Sequence, residues 1–314
     1  MDNPTEQAST TVRRSKAAPQ PRTLREKLEA GRFVVSVEID PPHGLGSGRA
    51  LAGASLFQQA NVDCINVGDS PLARVRMSPV AMAVFLQREL GMETIVHYTT
   101  RDRNLIAIHS DLVGGHVLGV RNILCLRGDP PALGGHTDVV AVWDVGSVQL
   151  IRILKMLNDG VDWTGKSVGP SASFCIGGSA NPNTEETKAE LNLMRRKVEA
   201  GAHFFMTQVV YDPGRLEGFL ERAAKFKLPI IVGILPILSQ RQAEFLHYQA
   251  PGITLPEEAL RRVRQAGEDG VAAEGLAMAR DILAVAKAKA AGVYFVPSFG
   301  RYESLLELVA EARS

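Results

Sequence analysis

The sequence predicts an α/β chain closed into a single-domain (β/α)8 TIM barrel, and three observations carry that expectation. Eight short apolar runs, rich in β-branched residues, recur from residue 23 onward. Such runs read as parallel strands buried on both faces. Ten or more residues of helical period follow most of them, the alternation that builds parallel sheets by right-handed crossovers. At 314 residues, 45% hydrophobic and 22% charged, the chain has an ordinary soluble composition and the length for one such barrel.

Taken in order, residues 1–22 are polar, proline-containing and without hydrophobic period, so a disordered or loosely docked arm is expected there. Asp2, Glu6 and the missing apolar segment argue against a targeting peptide. The barrel domain then occupies 23–314. Strands are expected at 33–39, 62–67, 94–98, 122–126, 168–175, 203–209, 230–235 and 293–296. Helices are expected at 49–60, 79–90, 104–118, 145–158, 184–200, 214–226, 239–248 and 302–312, with two extra ones, 256–266 and 271–290, between strands seven and eight.

In such a barrel the carboxyl ends of the strands carry the chemistry. The first strand delivers Glu38 and Asp40 before Pro41-Pro42, the second Gly68-Asp69-Ser70, the third His97. The fourth stops abruptly in Arg127, Gly128 and Asp129, where two prolines forbid further strand or helix. The fifth offers Cys175-Ile176-Gly177-Gly178, the sixth Gln208, the seventh Leu235-Pro236, and the eighth Pro297-Ser298 with Arg301 just beyond. An acid inside Val34-Val35-Ser36-Val37-Glu38-Ile39 costs several kcal/mol unless it is paired, with Arg127 for instance, or used. Use is the better account. His97 stands open between a satisfied core histidine and a ligand contact, while Gln208 replaces a cheaper apolar residue and points to a ligand.

Other functions are excluded on physical grounds. A net charge of +1 gives no field for nucleic acid or an anionic membrane, so a small molecule is the natural partner. The apolar stretch 270–296 is broken by Glu274, Arg280, Asp281, Lys287 and Lys289 and cannot span a bilayer. Cys64, Cys125 and Cys175 show no redox or zinc spacing and read as buried thiols of a cytoplasmic protein. His109 and His116 lack a third ligand, so no metal is expected. Gly44-Leu45-Gly46-Ser47-Gly48 lacks the final glycine of a dinucleotide turn. Gly160 to Ser167 matches a phosphate loop letter for letter, yet it follows a helix and precedes a strand, the wrong order for holding phosphates on a helix terminus. A connection on the stability face is expected.

Glu38 with Pro41-Pro42, His97, Leu126-Arg127-Gly128-Asp129, the run Arg196 to Ala202, Thr207-Gln208, Gly233-Ile234-Leu235-Pro236 and Arg301 together resemble the methylenetetrahydrofolate reductase family. The likeness runs in order from about Phe33 to Leu308. Asn66 to Pro71 is most similar to reductase halves fused to homocysteine methyltransferases. The resemblance implies a barrel holding FAD that takes hydride from NADH or NADPH and reduces 5,10-methylenetetrahydrofolate to 5-methyltetrahydrofolate. It casts Glu38 as general acid, Asp129 as a catalytic carboxylate touching pterin and flavin, and Gln208 and Arg301 as substrate contacts. His97, Arg127, Gly128, Asp129, Phe174, Asn181, Glu190, Arg196 and Lys197 fall where the family binds FAD.

The departures matter too. Gly68-Asp69 replaces a Thr-Tyr pair, Ile39-Asp40 an aromatic position, Gln240 a phenylalanine, and Phe174 and Asn181 a tyrosine and a histidine. They keep open a folate- or flavin-binding subunit that acts only with a methyltransferase or electron-donor partner, and a reductase without flavin. NADH against NADPH and homo-oligomer formation are open as well.

Overall fold

The computed structural model describes residues 23–314; the arm expected over 1–22 lies outside the described residues. Eight parallel strands close into one barrel in chain order: β1 (Val34–Ile39), β2 (Cys64–Val67), β3 (Thr94–Thr99), β4 (Asn122–Leu126), β5 (Cys175–Ala180), β6 (Phe204–Val209), β7 (Ile230–Ile234) and β8 (Gly292–Phe295). The ring shuts where Val34 of β1 meets Gly292 of β8. Alternation along the strands divides the core in two. Cys64, Ile95, Leu124, Phe204, Met206 and Ile231 are among the side chains filling the interior, while Val35, Val37, Ile65, Val96 and Ile123 belong to the outer layer under the helices.

The floor of the barrel is plugged by a short helix that the sequence reading did not assign, α1 (Leu24–Glu29). The Thr23 hydroxyl accepts from the Glu26 amide while the Glu26 carboxylate accepts from the Thr23 amide, a reciprocal cap. Its Thr-x-x-Glu signature was present in the chain. Leu24 and Leu28 then bury into the interior cluster, each worth roughly 1.5–3 kcal/mol of apolar transfer. Charges here are paired. Asp63 accepts from the Val35 amide at 2.8 Å and meets Lys27 at 3.0 Å and Arg313 at 2.7 Å. Glu93 accepts from the Leu24 amide at 2.6 Å and from Asn122 Nδ2 at 2.9 Å.

One expected strand is displaced: the run at 168–175 precedes β5 instead of forming it. Its glycines look like terminators but sit inside the strand, because neighbouring side chains need their space. A Cβ on Gly177 would lie 2.6 Å from the Phe204 ring, and one on Gly178 3.0 Å from Phe205 and 3.2 Å from the Lys197 stem. The carboxyl end of β5 therefore offers Ser179, Ala180 and Asn181. Phe174 moves to the floor.

The two helices expected between strands seven and eight form one stretch, α9 (Glu257–Lys289), broken at Gly267 where φ is 66°. Among the intervening helices, α2 (Gly48–Gln59), α4 (Leu105–Val117), α5 (Ser147–Asn158), α6 (Thr187–Ala200) and α8 (Gln240–Tyr248) matter below. The phosphate-loop lookalike is a tight turn between α5 and β5, closed by a Val161–Ser167 bridge, with Asp162 accepting from the Thr164 and Lys166 amides. Among the described residues, no helix is long and apolar enough to cross a membrane.

Candidate active site at the carboxyl-terminal mouth

Two cavities open at the mouth. One of about 350 Å³ lies over β3 to β6 and is lined by His97, Leu126, Asn181, Glu190, Lys197 and Gln208 among others. The second, of about 410 Å³, lies between the loops after β1, β2 and β8 and is lined by Asp40, Arg49, Arg76, Phe299 and Tyr302 among others. Their volumes suit small-molecule ligands. Glu38 is the single lining residue the two cavities share.

Glu38 faces inward because it continues the alternation Val34, Ser36, Glu38 on β1. Its carboxylate has no donor among the described residues. Arg127, the pairing candidate from sequence, instead lays its guanidinium 4.4 Å from the centre of the Trp143 ring. Burial first, and the neighbouring Asp40 second, push the Glu38 carboxyl up to about 8. Such an acid keeps its proton at neutral pH. Burial also raises Asp40, with Arg76 pulling the other way. Gly68 gives both acids room: a Cβ there would stand 2.8 Å from Asp40 Oδ1 and 3.6 Å from Glu38 Oε1.

His97 is buried on β3, and its Nε2 has no partner among the described residues. Burial lowers it to about 4 against the opposing charge of Asp69, so the ring is neutral. Asp69 itself is fully engaged. It accepts from the Thr99 amide and hydroxyl at 2.9 Å and from Arg103 at 2.6 Å.

Across the same cavity, α6 contributes Lys197 and Glu190. Lys197 is buried and donates to the Ser179 carbonyl at 2.5 Å, and burial lowers its pKa while Glu190 opposes. Glu190 accepts from the Asn181 amide at 3.0 Å. Gln208 accepts from its neighbour Val209 N at 2.9 Å and donates to Pro251 O at 3.3 Å, which ties it to the loop after α8. Tyr294 closes the base of this cavity, donating to the Thr207 carbonyl at 2.8 Å, with its ring over Gly233.

The mouth thus gathers Glu38, His97, Asn181, Glu190, Lys197 and Gln208. It leaves other expected residues outside. Asp129 lines neither cavity: its carboxylate accepts from the Leu72 amide at 2.9 Å and holds a loop in which Leu72 and Ala73 keep positive φ. Gly128, at φ +87°, packs where a Cβ would come 2.9 Å from Arg101 Cβ. Arg196 is exposed on α6, beside the buried Lys197, and lines neither cavity. Arg301 is exposed too, although its neighbours Gly300 and Tyr302 line the second cavity. Phe174 packs its ring against His116 of α4, 5.0 Å centre to centre, at the amino end of β5, and lines neither cavity.

Asp40 lines the second cavity from the strand end where the sequence placed it, and Arg49, Arg74, Arg76 and Tyr294 line the cavities without having been singled out. The signal for Arg74 and Arg76 was their place in an irregular loop at a strand's carboxyl end, and for Tyr294 its inward register on β8.

A family model described as methylenetetrahydrofolate reductase matches residues 23–302. Methylenetetrahydrofolate reductase 2 of Saccharomyces cerevisiae is 29% identical over 213 residues, 65% of this chain and 33% of the relative. The 5,10-methylenetetrahydrofolate reductase of Pectobacterium carotovorum is 26% identical over 232 residues, 72% of each chain. The chain thus spans about a third of the length of the yeast relative and most of the bacterial one. Among solved structures, a Clostridium thermocellum protein described as binding two copies of 5-methyl-5,6,7,8-tetrahydrofolic acid shares the fold, with a TM-score of 0.68 at 15% identity, over 92% of this chain and 98% of that one. With the barrel closed, an acid held protonated at its mouth and a family model running through nearly every described residue, the chain belongs to the methylenetetrahydrofolate reductase family.

Proposed function

We propose that this protein, one barrel domain over residues 23–314 working in the cytoplasm, reduces 5,10-methylenetetrahydrofolate to 5-methyltetrahydrofolate, with a bound flavin and NADH or NADPH as hydride donor. The observation that carries the proposal is Glu38, an inward-facing carboxyl without a donor, held protonated up to about pH 8 on the wall between two ligand-sized cavities. A methylene bridge accepts hydride only as an iminium cation. Glu38 gives its proton to the departing N10, and the bridge opens to that cation.

The first cavity fits a flavin on one observation. His97 presents a buried, neutral imidazole whose Nε2 has no protein partner, a cost that a ring heteroatom would offset. His97, Asn181, Glu190 and Lys197 would hold the group, and the buried Lys197 cation would favour an anionic part of it. A bound flavin supplies hydride carriage between nicotinamide and folate. Gln208, fixed by its two backbone bonds, orients the substrate from the same cavity.

A second reading has its own support. Asp69 stands where the family resemblance expects a contact to nicotinamide and flavin, and Thr99 and Arg103 saturate it. A flavin- and folate-binding subunit fed by a partner protein is consistent with that. An absorption spectrum of the purified protein separates the cases. The proposed enzyme is yellow, bleaches with NADH or NADPH, and recovers colour on adding methylenetetrahydrofolate. Yellow protein that neither nicotinamide bleaches, but that a co-purifying donor does, favours the subunit. Colourless protein that turns over removes the flavin.

A further inference from the structure

We infer that Glu38 and Asp40 work as one carboxyl pair, in which Asp40 carries the negative charge that keeps the proton on Glu38 and Arg76 keeps that charge on Asp40. This rests on the reading above and adds to it the residue that tunes the acid. The pair is built by the end of β1 and the turn after β2. The Gly68 amide lies against the Ile39 carbonyl at 3.4 Å, and the space of its missing side chain faces both acids. Asp40 Oδ1 stands 2.8 Å and Glu38 Oε1 3.6 Å from the point a Cβ would take, so the two oxygens share one small hollow. Asp40 and Gly68 both depart from the family pattern, at an aromatic position and at that of a threonine, and the fold brings the two departures into contact. An aromatic ring at 40 would carry no charge, and a threonine at 68 would push the second carboxylate away.

Two carboxyls in one hollow raise each other's proton affinity, and their surroundings decide which of them keeps the proton. Asp40 is the more exposed of the two, and Arg76, whose Nε is buried without a partner, pulls it towards the charged form. Glu38 lies deeper, and what acts on it is burial and Asp40. The charge therefore settles on Asp40 and the proton on Glu38. The other groups facing the pair leave that division intact. Tyr294 of β8 and Tyr302 beyond it are held neutral by burial, and so is His97. Lys197 is tied to the Ser179 carbonyl beside Glu190, Arg49 to the Gly300 carbonyl, and Arg74 and His43 line the cavity farther along the loops. Reduction of a methylene bridge by hydride takes up one proton per turnover. Once Glu38 has given its proton to N10, two carboxylates face each other, and their repulsion draws one proton back from water.

The experiment is an infrared pH titration of the purified protein that follows the carbonyl stretch of protonated carboxyls, with the Glu38 band identified by its loss in Glu38→Gln. Asp40→Asn, close in shape and uncharged, lowers the Glu38 midpoint by about one pH unit, a roughly tenfold loss of proton affinity. Asp40→Glu keeps the charge and stays near the wild-type midpoint. Gly68→Ala crowds Asp40 Oδ1 and moves the midpoint part of the way down, which tests the geometry should Asp40→Asn fail to fold. Arg76→Gln raises the lower of the pair's two steps more than the upper. Added salt narrows the gap between wild type and Asp40→Asn, because the charge at 40 is exposed. The alkaline limb of folate reduction, read as kcat/KM against pH, moves with the infrared midpoint in each variant. A Glu38 midpoint indifferent to Asp40→Asn overturns the inference, as does one that Asp40→Glu lowers as far as Asp40→Asn. An infrared shift in a protein that reduces no folate removes the underlying reading and leaves the pair standing, whereas folate reduction with an unmoved midpoint removes the pair alone.

Discussion

At the floor of the barrel Asp63 is met by the Val35 amide, Lys27 and Arg313, and Glu93 by the Leu24 amide and Asn122. At the mouth Glu38 and Asp40 have no donor among the described residues, and His97 leaves Nε2 bare. The two ends hold the same residue types, less than one strand's length apart. At one end the polar groups complete each other and close the fold around α1. At the other they are left incomplete, which costs stability and keeps them available to a ligand.

The sharpest way to break this comparison is to change one acid at each end. Glu38→Gln keeps the shape and removes the proton, so on the proposed reading folate reduction should fall by about a thousandfold, roughly 4 kcal/mol, while nicotinamide oxidation by the proposed flavin persists. Equal loss in both half-reactions, followed by stopped-flow absorbance, would end the assignment of Glu38 as acid. Asp63→Ala should do the reverse. It strands Lys27, Arg313 and the Val35 amide, so urea denaturation should show a loss of about 3 kcal/mol with turnover per folded molecule unchanged. A loss below about 0.5 kcal/mol would put the floor's charges among ordinary surface pairs.

A third test reads a slope. The folded protein keeps a proton on Glu38 up to about 8, while the unfolded chain loses it above the ordinary value of 4.5. Between those two values the unfolded state binds fewer protons, so wild-type stability falls as pH rises and levels off above about 8. The slope is at most about 1.4 kcal/mol per pH unit, less where water enters the cavity, and Glu38→Gln should abolish this component. Thermal midpoints of the two proteins that run parallel from pH 5 to pH 8 would contradict the buried acid.

Much of this was legible from the chain. Short apolar, β-branched runs located eight strands because barrel strands are buried on both faces, and only β5 was misplaced by more than two residues. There the glycines answer to the rings of Phe204 and Phe205, a packing requirement that no local pattern displays. Glu38, His97, Asn181, Glu190, Lys197 and Gln208 reach the mouth as their strand ends or the family resemblance indicated. Asp129 has the right address but turns to the Leu72 amide, and Arg127 to Trp143. Side-chain choice among competing neighbours depends on loops brought together from distant sequence. Arg49 of the second cavity was illegible for the same reason, since α2 and the loop after β2 meet only in the folded chain.

That Glu38 alone belongs to both hollows has a consequence for timing. A guest in either compartment expels solvent from the same pair of oxygens and makes ionisation harder still. The two occupants thereby communicate through proton affinity, without touching. Whichever comes first, the proton that the acid already keeps at neutral pH is held more firmly when the second comes.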